Sequence, residues 1–267
     1  MESSATQLPT AGRPFIHGIF SRETGQPITY RLYDFTPAAF ETKVRDFFKP
    51  DGRGRGLNIT APHKIAAAEL VDELTARAAH AAAVNTFALR SDGTLLGDNT
   101  DGAGLVRDLC DNESIVITNR RILIIGAGGA SRGVIAPMLA LSPTEIVIAN
   151  RTSERAEQLA QTFEKLGTVK GVAFGRISGA AFDLIINATS ASLSGDVPDG
   201  PAGAASPATV CYDMAYGKTE TPFIRWALKL GCSCALQGWG MLVEQAAESF
   251  RVWRHVPRHE RRGTSKL

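Results

Sequence analysis

The chain has 267 residues, 44% of them apolar, so it is long enough to bury a full core and to form two domains. Its 29 Lys and Arg residues almost balance its 27 Asp and Glu residues, which excludes a global positive field that would recruit nucleic acid. The first 13 residues lack the apolar core of a signal peptide and no run approaches membrane-spanning length, so we expect a cytoplasmic protein that does not bind a membrane.

The first part of the chain predicts short elements of mixed type. Residues 1–13 are small and polar and predict an irregular arm. After this arm we predict a helix over 14–24, a strand over 28–33, a helix over 40–48, a strand over 57–60, helical segments over 65–74 and 72–82, a hairpin of strands 83–87 and 95–97, and a linking helix over 102–109.

From residue 110 onwards, strands and helices alternate. After a polar connector over 110–119, we predict strands over 122–125 and 146–149, a helix over 153–166, strands over 172–174, 182–189 and 210–216, and helices over 221–230 and 238–253. Residues 194–207 are rich in Gly, Pro, Ala and Asp and predict a mobile loop. Alternation of this kind predicts an α/β fold whose second part has a parallel, Rossmann-type sheet.

The four cysteines show no metal-binding pattern. Cys232 and Cys234 are too close for a usual metal pair, and Cys110 and Cys211 lie far from them in the sequence. We therefore expect free thiols in a reducing compartment and no metal site.

A glycine-rich turn follows the strand predicted over 122–125. Its sequence is Gly126-Ala127-Gly128-Gly129-Ala130-Ser131. Glycines allow a tight turn in which backbone N–H groups approach a pyrophosphate, and the following helix places its positive end beneath that anion. Ser131 stands where a third glycine or an alanine is usual. The turn therefore indicates a dinucleotide site, with a βαβ unit of some other α/β protein as the alternative.

The end of the next strand distinguishes between the two nicotinamide dinucleotides. An NAD site normally has Asp or Glu there, which binds the ribose hydroxyls. This chain has Asn150, Arg151 and Thr152, with Arg155 close behind. Because arginines suit a 2′-phosphate, the sequence predicts NADP rather than NAD. The alternative is that Arg151 is a solvated residue at a strand end.

Polar residues follow the predicted strands of the first part. Lys64 begins a predicted helix, where the positive helix end disfavours a second cation, so a purely structural lysine gains nothing there. We expect Lys64, Asn85 and Asp101 each to project from the carboxyl end of a strand, the edge at which ligands bind in open α/β sheets. The alternatives are a surface lysine, an Asx turn at Asp101, and hydrogen bonding of strand-end backbone groups by Asn85 and Thr60.

Eight segments together resemble the shikimate dehydrogenase family. They occur in the order and spacing of that family from about residue 14 to residue 253, and the ordered set is specific although a single motif is not. The segments are Asn58-Ile59-Thr60-Ala61-Pro62-His63-Lys64, Ala83-Val84-Asn85-Thr86, Asp98-Asn99-Thr100-Asp101-Gly102, Gly126-Ala127-Gly128-Gly129-Ala130-Ser131, Asn150-Arg151-Thr152, Asn187-Ala188-Thr189-Ser190, Tyr212-Asp213-Met214-Ala215-Tyr216 and Gly238-Trp239-Gly240-Met241-Leu242-Val243-Glu244-Gln245.

The resemblance implies two α/β domains with a cleft between them. Residues 1–102, completed by 238–267, would form a substrate domain, and residues 103–237 an NADP-binding Rossmann domain. The implied reaction is the reversible reduction of 3-dehydroshikimate to shikimate in aromatic amino-acid biosynthesis, by a monomer or homodimer acting on small molecules.

The resemblance also implies roles for single residues. Lys64 matches the catalytic lysine of the family and Asp101 its aspartate partner. Thr60, Asn85 and Gln245 match positions that hydrogen-bond the ring hydroxyls, Tyr216 and Gly238 line the same cleft, and Met214 matches a position beside the nicotinamide.

The sequence departs from the family pattern at both ends. The family opens with a strand and a His-Ser-x-Ser-Pro segment whose two serine hydroxyls bind the substrate carboxylate. When the chain is aligned on Pro14, those serines fall on Ala11 and Arg13. Residues 2–9 have no strand character, and residues 255–267 replace the last helix of the family. Arg13 either binds the carboxylate through a charge-assisted contact or is a residue of the arm.

Three functions follow from these observations. The first is an NADP-dependent shikimate dehydrogenase. The second is a paralogue that acts on quinate or a related hydroxy-acid, because residues 11 and 13 lie where that choice would be made. The third is an NADP-binding relative whose catalysis is impaired, since the serines of the carboxylate motif are missing.

Overall fold

A computed structural model of the chain describes residues 12–50, 52, 54–177, 181–193, 195, 196 and 202–254. Over this part, helices pack against two sheets. The arm predicted over 1–13 lies outside the described residues up to residue 11, as does the whole tail over 255–267. Gly12 and Arg13 open the first helix, so the expectation that they belong to an irregular arm was wrong. The loop predicted over 194–207 is described only in part, and Ala202–Ala204 form a 3-10 turn there.

The first sheet has four strands of mixed direction, which are β1 (Gly56–Asn58), β2 (Glu73–Leu74), β3 (Thr86–Leu89) and β4 (Leu95–Asp98). Their order in the sheet is β1-β3-β4-β2. Strand β3 is antiparallel to both β1 and β4, whereas β2 runs parallel to β4. The helices of this part are α1 (Gly12–Thr24), α2 (Phe40–Phe47), α3 (Lys64–Ala67) and α4 (Ala76–Ala81). Phe40 and Val44 of α2 pack with Phe87 of β3 in its apolar core.

The strand predicted over 28–33 does not form, and residues 26–36 have no regular structure. Side-chain contacts hold this segment instead of a strand ladder. The Tyr30 ring stacks on the His17 ring of α1 at 4.4 Å, and the Tyr30 hydroxyl donates to Asn58 Oδ1 at 3.1 Å. The segment that was predicted to be a strand therefore packs against α1 and β1 through the side chain of Tyr30.

The helical segments predicted over 65–74 and 72–82 are shorter than expected. Helix α3 ends at Ala67, and the chain pairs with β4 before α4 begins. Asp72 determines this break, because its backbone N–H donates to the Leu95 carbonyl at 2.9 Å and its carboxylate accepts from the Leu95 N–H at 2.7 Å. Thr75 then starts α4 by accepting a hydrogen bond from the Ala78 N–H.

The second sheet has six strands, which are β5 (Arg121–Ile125), β6 (Glu145–Asn150), β7 (Val169–Ala173), β8 (Leu184–Asn187), β9 (Val210–Asp213) and β10 (Cys234–Gln237). They are all parallel and lie in the order β10-β9-β8-β5-β6-β7. The order reverses at β5, which makes a doubly wound sheet with its switch point at the carboxyl end of that strand. The predicted α/β fold with a parallel, Rossmann-type sheet is confirmed. The sequence analysis missed β10, a half-buried edge strand too short for a periodic pattern.

Five further helices connect and cover these strands. They are α5 (Asp101–Arg107), which continues as a π-helical turn over Asp108–Asn112, α6 (Gly129–Leu139), α7 (Ser153–Phe163), α8 (Pro222–Lys229) and α9 (Trp239–Arg254). Helix α5 crosses α6 closely at Gly102, where a Cβ atom would lie 2.4 Å from the Gly133 carbonyl oxygen. The first sheet and the glycine-rich turn are thereby held against each other. The domain boundary at residues 102 and 103 stays a prediction.

Within the described ranges, no helix combines the length and the apolar composition that crossing a membrane requires.

Candidate active site

Lys64 and Asp101 form an ion pair at one edge of the first sheet. Each is the first residue of its helix, α3 or α5, and Lys64 Nζ lies 2.6 Å from Asp101 Oδ2. The two side chains are 13% and 4% exposed, so the pair is shielded from bulk water while the ammonium group stays within reach of a ligand. The ammonium group has three donors, and Asp101 is its only partner among the described residues. Two donors are therefore available to a ligand.

Asn85 holds the other carboxylate oxygen of Asp101. Its Nδ2 donates to Asp101 Oδ1 at 2.8 Å, and its Oδ1 accepts from the Thr100 backbone N–H at 2.9 Å. Because an ionised carboxylate only accepts and a backbone N–H only donates, these two bonds fix the orientation of the amide. Asn85 precedes β3, which is antiparallel to its neighbours, so the expectation that it projects from the carboxyl end of a strand was wrong.

A second cluster lies where α1 meets α9. Arg13 Nη1 donates to Gln245 Oε1 at 3.5 Å, a long hydrogen bond, and the Gln245 side chain is buried. Burial raises the pKa of Tyr216, and the positive charge of Arg13 opposes that shift. The Tyr216 ring also packs on Trp239, with 4.5 Å between ring centroids. The cluster therefore presents one guanidinium charge beside two polar side chains.

The glycine-rich turn joins β5 to α6. Gly126 has φ +107°, a conformation that side chains rarely adopt. A Cβ atom on Gly128 would meet nothing within 4 Å, so space is open above the turn, and one on Gly129 would lie 3.2 Å from Lys64 Cβ. The amino end of α6 therefore faces an open space that adjoins the Lys64 pair, and its partial positive charge suits an anionic group there. The turn is completed by Ala127 and Ala130.

The end of β6 is exposed. Asn150, its last residue, donates from Nδ2 to the Thr152 carbonyl oxygen at 2.9 Å and closes the turn into α7. Arg151 and Arg155 are exposed, and neither forms an ion pair with another described residue. Two guanidinium groups are therefore free to bind an anion in front of this strand.

The loops after β9 and before α9 touch each other. A Cβ atom on Gly238 would lie 2.6 Å from the Met214 carbonyl oxygen, so these two residues are adjacent. Behind them, Asn187 Nδ2 donates to Asp213 Oδ1 at 2.9 Å and ties the carboxyl ends of β8 and β9 together. Burial raises the pKa of Asp213, against the hydrogen bond that Thr221 donates to it. This ligand edge of the parallel sheet is held by buried polar groups.

Not every predicted site residue joins a cluster. Thr60 is exposed two residues after β1, and its side chain forms no hydrogen bond with another described residue. Sequence reasoning did not single out His17 and Tyr30, which lie within the helix predicted over 14–24 and the strand predicted over 28–33. Both adjoin Asn58, and burial lowers the pKa of His17 to about 3. Across the described ranges, no group of three or more His, Cys, Asp or Glu side chains is arranged to hold a metal ion.

Comparisons with known proteins identify a family of similar sequences and structures. Residues 7–87 match the family model of the shikimate dehydrogenase substrate binding domain, and residues 109–194 match that of shikimate / quinate 5-dehydrogenase. The chain is 51% identical over 243 residues to a protein of Methylococcus capsulatus named shikimate dehydrogenase (NADP(+)), covering 91% of this chain and 86% of that relative.

Solved structures with the same fold include an Ael1 enzyme from Pseudomonas putida. It is 40% identical, with a TM-score of 0.84, and the match covers 94% of this chain and 91% of that one. A shikimate 5-dehydrogenase from Thermus thermophilus, in complex with NADP(H) and shikimate, is 27% identical, with a TM-score of 0.79. The match covers 94% of this chain and 91% of that one.

Proposed function

This chain belongs to the shikimate dehydrogenase family, and we propose that it catalyses the NADP-dependent, reversible reduction of 3-dehydroshikimate to shikimate. The observation that carries the proposal is the buried pair of Lys64 and Asp101, 2.6 Å apart, beside the open space at the glycine-rich turn. A purely structural ion pair has no need of a water-excluded site. A group that donates a proton to a carbonyl oxygen does need one, because its interaction with the developing negative charge is stronger where water is excluded.

The coenzyme would lie along the carboxyl edge of the six-stranded sheet. The backbone N–H groups from Gly126 to Ala130 would hold its pyrophosphate at the amino end of α6. Asn150, Arg151, Thr152 and Arg155 would hold the 2′-phosphate, and Met214 and Gly238 would border the nicotinamide. When bound, NADPH supplies the hydride.

The protein supplies the proton. The Lys64 ammonium group, donating to the carbonyl oxygen of the substrate, stabilises the developing alkoxide and transfers a proton to it, which is worth about 10²–10⁴ in rate. Asp101 orients Lys64 through Oδ2, and Asn85 holds Asp101 through Oδ1. In the reverse direction, the lysine accepts the proton of the hydroxyl group that is oxidised.

The remaining polar residues would bind the acid itself. Thr60, Asn85 and Gln245 would hydrogen-bond the ring hydroxyls, and Tyr216 would line the cleft beside them. Arg13 replaces a serine of the family motif and would bind the carboxylate by a charge-assisted hydrogen bond, which is stronger than a bond from a hydroxyl group. Its position 3.5 Å from Gln245 supports this role, because the guanidinium group and the amide then face the same ligand.

We further propose that residues 1–102 with 238–267 form the substrate domain and that residues 103–237 form the coenzyme domain. The protein would act in the cytoplasm, as a monomer or homodimer, on small molecules of aromatic amino-acid biosynthesis. The four described cysteines are all free thiols, which supports a reducing compartment.

A spectrophotometric assay tests the proposal. Purified protein is mixed with NADP⁺ and either shikimate or quinate, and the absorbance of NADPH is followed while NADPH binding is titrated separately. We expect turnover mainly with shikimate. Turnover mainly with quinate would support a paralogue with changed acid specificity, and NADPH binding without turnover would support an impaired relative.

A further inference from the structure

The hydroxyl group of Ser249 lies at the centre of a buried polar cluster behind the proposed substrate site. It accepts from Asn58 Nδ2 at 2.9 Å, and its single proton is donated either to Thr86 Oγ1 at 2.8 Å or to the Gln245 carbonyl oxygen at 3.0 Å. It also lies 3.2 Å from Thr100 Oγ1. A hydroxyl group has one donor and two acceptor positions, so these partners saturate it and leave no capacity for a ligand.

Each segment that Ser249 contacts carries a proposed substrate or catalytic residue within two positions. The pairs are Asn58 with Thr60, Thr86 with Asn85, Thr100 with Asp101, and the Gln245 carbonyl with the Gln245 side chain. One hydroxyl group thus connects the end of β1, the start of β3, the start of α5 and the middle of α9.

The connection reaches Asp101 through hydrogen bonds. Thr86 Oγ1, next to Ser249, donates to Asn85 Oδ1 at 2.8 Å, and Asn85 Nδ2 donates to Asp101 Oδ1 at 2.8 Å. Ser249, Thr86 and Thr100 are 0% exposed and Asn85 is 1% exposed, so water cannot replace a lost partner without rearrangement. Removing the Ser249 hydroxyl would leave Asn58 Nδ2 without its shortest acceptor.

We propose that Ser249 is a positioning residue that holds the substrate-binding side chains in their positions relative to one another. This inference rests on the proposed function, since it presumes that those side chains bind the acid. Ser249 contacts no substrate itself and acts through Asn58, Thr86 and Thr100. The coenzyme turn and the end of β6 have no bond to it, so their binding properties are independent of this serine.

The test compares Ser249→Ala with a matched control, Thr209→Ala. Thr209 is also 0% exposed, and its hydroxyl donates to the Phe182 carbonyl oxygen at 2.7 Å, but it lies before β9, at the sheet edge opposite the ligand edge. Dissociation constants for shikimate and for NADP⁺ are measured by calorimetry, with thermal unfolding in parallel. Both substitutions should lower Tm. Only Ser249→Ala should weaken the binding of shikimate, by about tenfold, and it should leave the affinity for NADP⁺ unchanged.

Ser249→Cys provides a graded second variant, because the thiol keeps the side chain's shape and weakens its hydrogen bonds. The dissociation constant of Ser249→Cys for shikimate should lie between those of wild type and Ser249→Ala. This variant also provides the test if Ser249→Ala does not fold. Wild-type shikimate affinity in either variant, or equal losses for shikimate and NADP⁺, would overturn the inference. If the wild-type protein neither binds nor oxidises shikimate, the proposed function itself is wrong.

Discussion

The proposed substrate side and the proposed coenzyme side of the site are built in opposite ways. On the substrate side, Asp101 and Asn85 are 3% and 1% exposed, and each is held by hydrogen bonds from its neighbours. On the proposed coenzyme side, Arg151 and Arg155 are exposed and form no ion pair with another described residue. The first region is ordered by the protein itself, and the second has its charges in solvent.

This difference indicates which interactions should accelerate the reaction and which should only bind the coenzyme. Groups that are already held in place lose little entropy when a ligand arrives, so their interactions act fully on the reacting atoms. Exposed arginines are screened by salt and lose side-chain entropy when they bind an anion, so they supply affinity and selectivity rather than rate. Substitutions on the substrate side should therefore have the larger effects.

The largest effect is expected from Lys64→Ala. Turnover should fall by about 10²–10⁴, because the proton donor is lost, while NADP⁺ affinity stays near wild type. Steady-state kinetics with shikimate and a separate NADP⁺ titration provide the measurement. Lys170→Ala is the matched control, since Lys170 also pairs with a carboxylate, Glu145, at 2.8 Å but is 63% exposed. An unchanged rate for Lys64→Ala would remove Lys64 from the mechanism.

The next largest effect is expected from Arg13→Ala. If Arg13 binds the carboxylate, KM for shikimate should rise by about 10- to 100-fold. Arg13→Lys should recover only part of the loss, because an ammonium group lacks the two parallel donors of a guanidinium group. Arg22→Ala, in the last turn of the same helix, is the control. A KM that does not move would make Arg13 an ordinary helix residue.

A smaller and more selective effect is expected from Arg151→Ala. NADP⁺ affinity should fall by roughly a factor of ten and NAD⁺ affinity should stay constant, because only NADP⁺ carries the 2′-phosphate. The NADP⁺ loss should shrink as salt is added, in keeping with the exposure of this edge. Calorimetric titration of both coenzymes is the measurement. Equal losses for both would place the phosphate contact elsewhere.

A change in stability rather than in function is expected at His17, behind the proposed substrate side. Burial and the charge of Arg13 lower the pKa of His17 from 6.5 to about 3, so between these values the unfolded chain binds a proton that the folded chain does not. Stability is therefore complete above pH 6.5 and decreases toward pH 3, by at most about 1.4 kcal/mol per pH unit. Urea unfolding of wild type and His17→Phe across this range measures it. The free energy of unfolding of His17→Phe should lack this contribution to the pH dependence. Parallel curves of unfolding free energy against pH for the two proteins would contradict the lowered pKa of His17.

Much of the coenzyme side could be predicted from sequence, because its determinants are local. A buried strand, the turn beginning at Gly126 and the arginine at 151 lie within about 30 residues and form one βαβ unit. The position of Lys64 at a helix start, from which its proposed role was argued, is also a local feature. The alternating parallel strands of the second sheet followed from periodicity, with the exception of the short strand β10.

The substrate side depends on contacts that are distant in sequence. Asn58 and Ser249 are 191 residues apart, and no local pattern connects them. The strand predicted over 28–33 failed because Tyr30 packs on His17, and the helix predicted over 65–74 failed because Asp72 pairs with Leu95. In each case a tertiary contact outweighed local propensity, which sequence reasoning about single segments does not represent.

The most direct test of the account is a crystal structure of the protein with NADP⁺ and shikimate bound. We predict that Lys64 Nζ and Asp101 lie within hydrogen-bond distance, about 3 Å, of the ring hydroxyl that faces the nicotinamide. Arg13 should contact the carboxylate at the opposite end of the ring. A complex in which Lys64 and Asp101 point away from the bound acid would contradict the account.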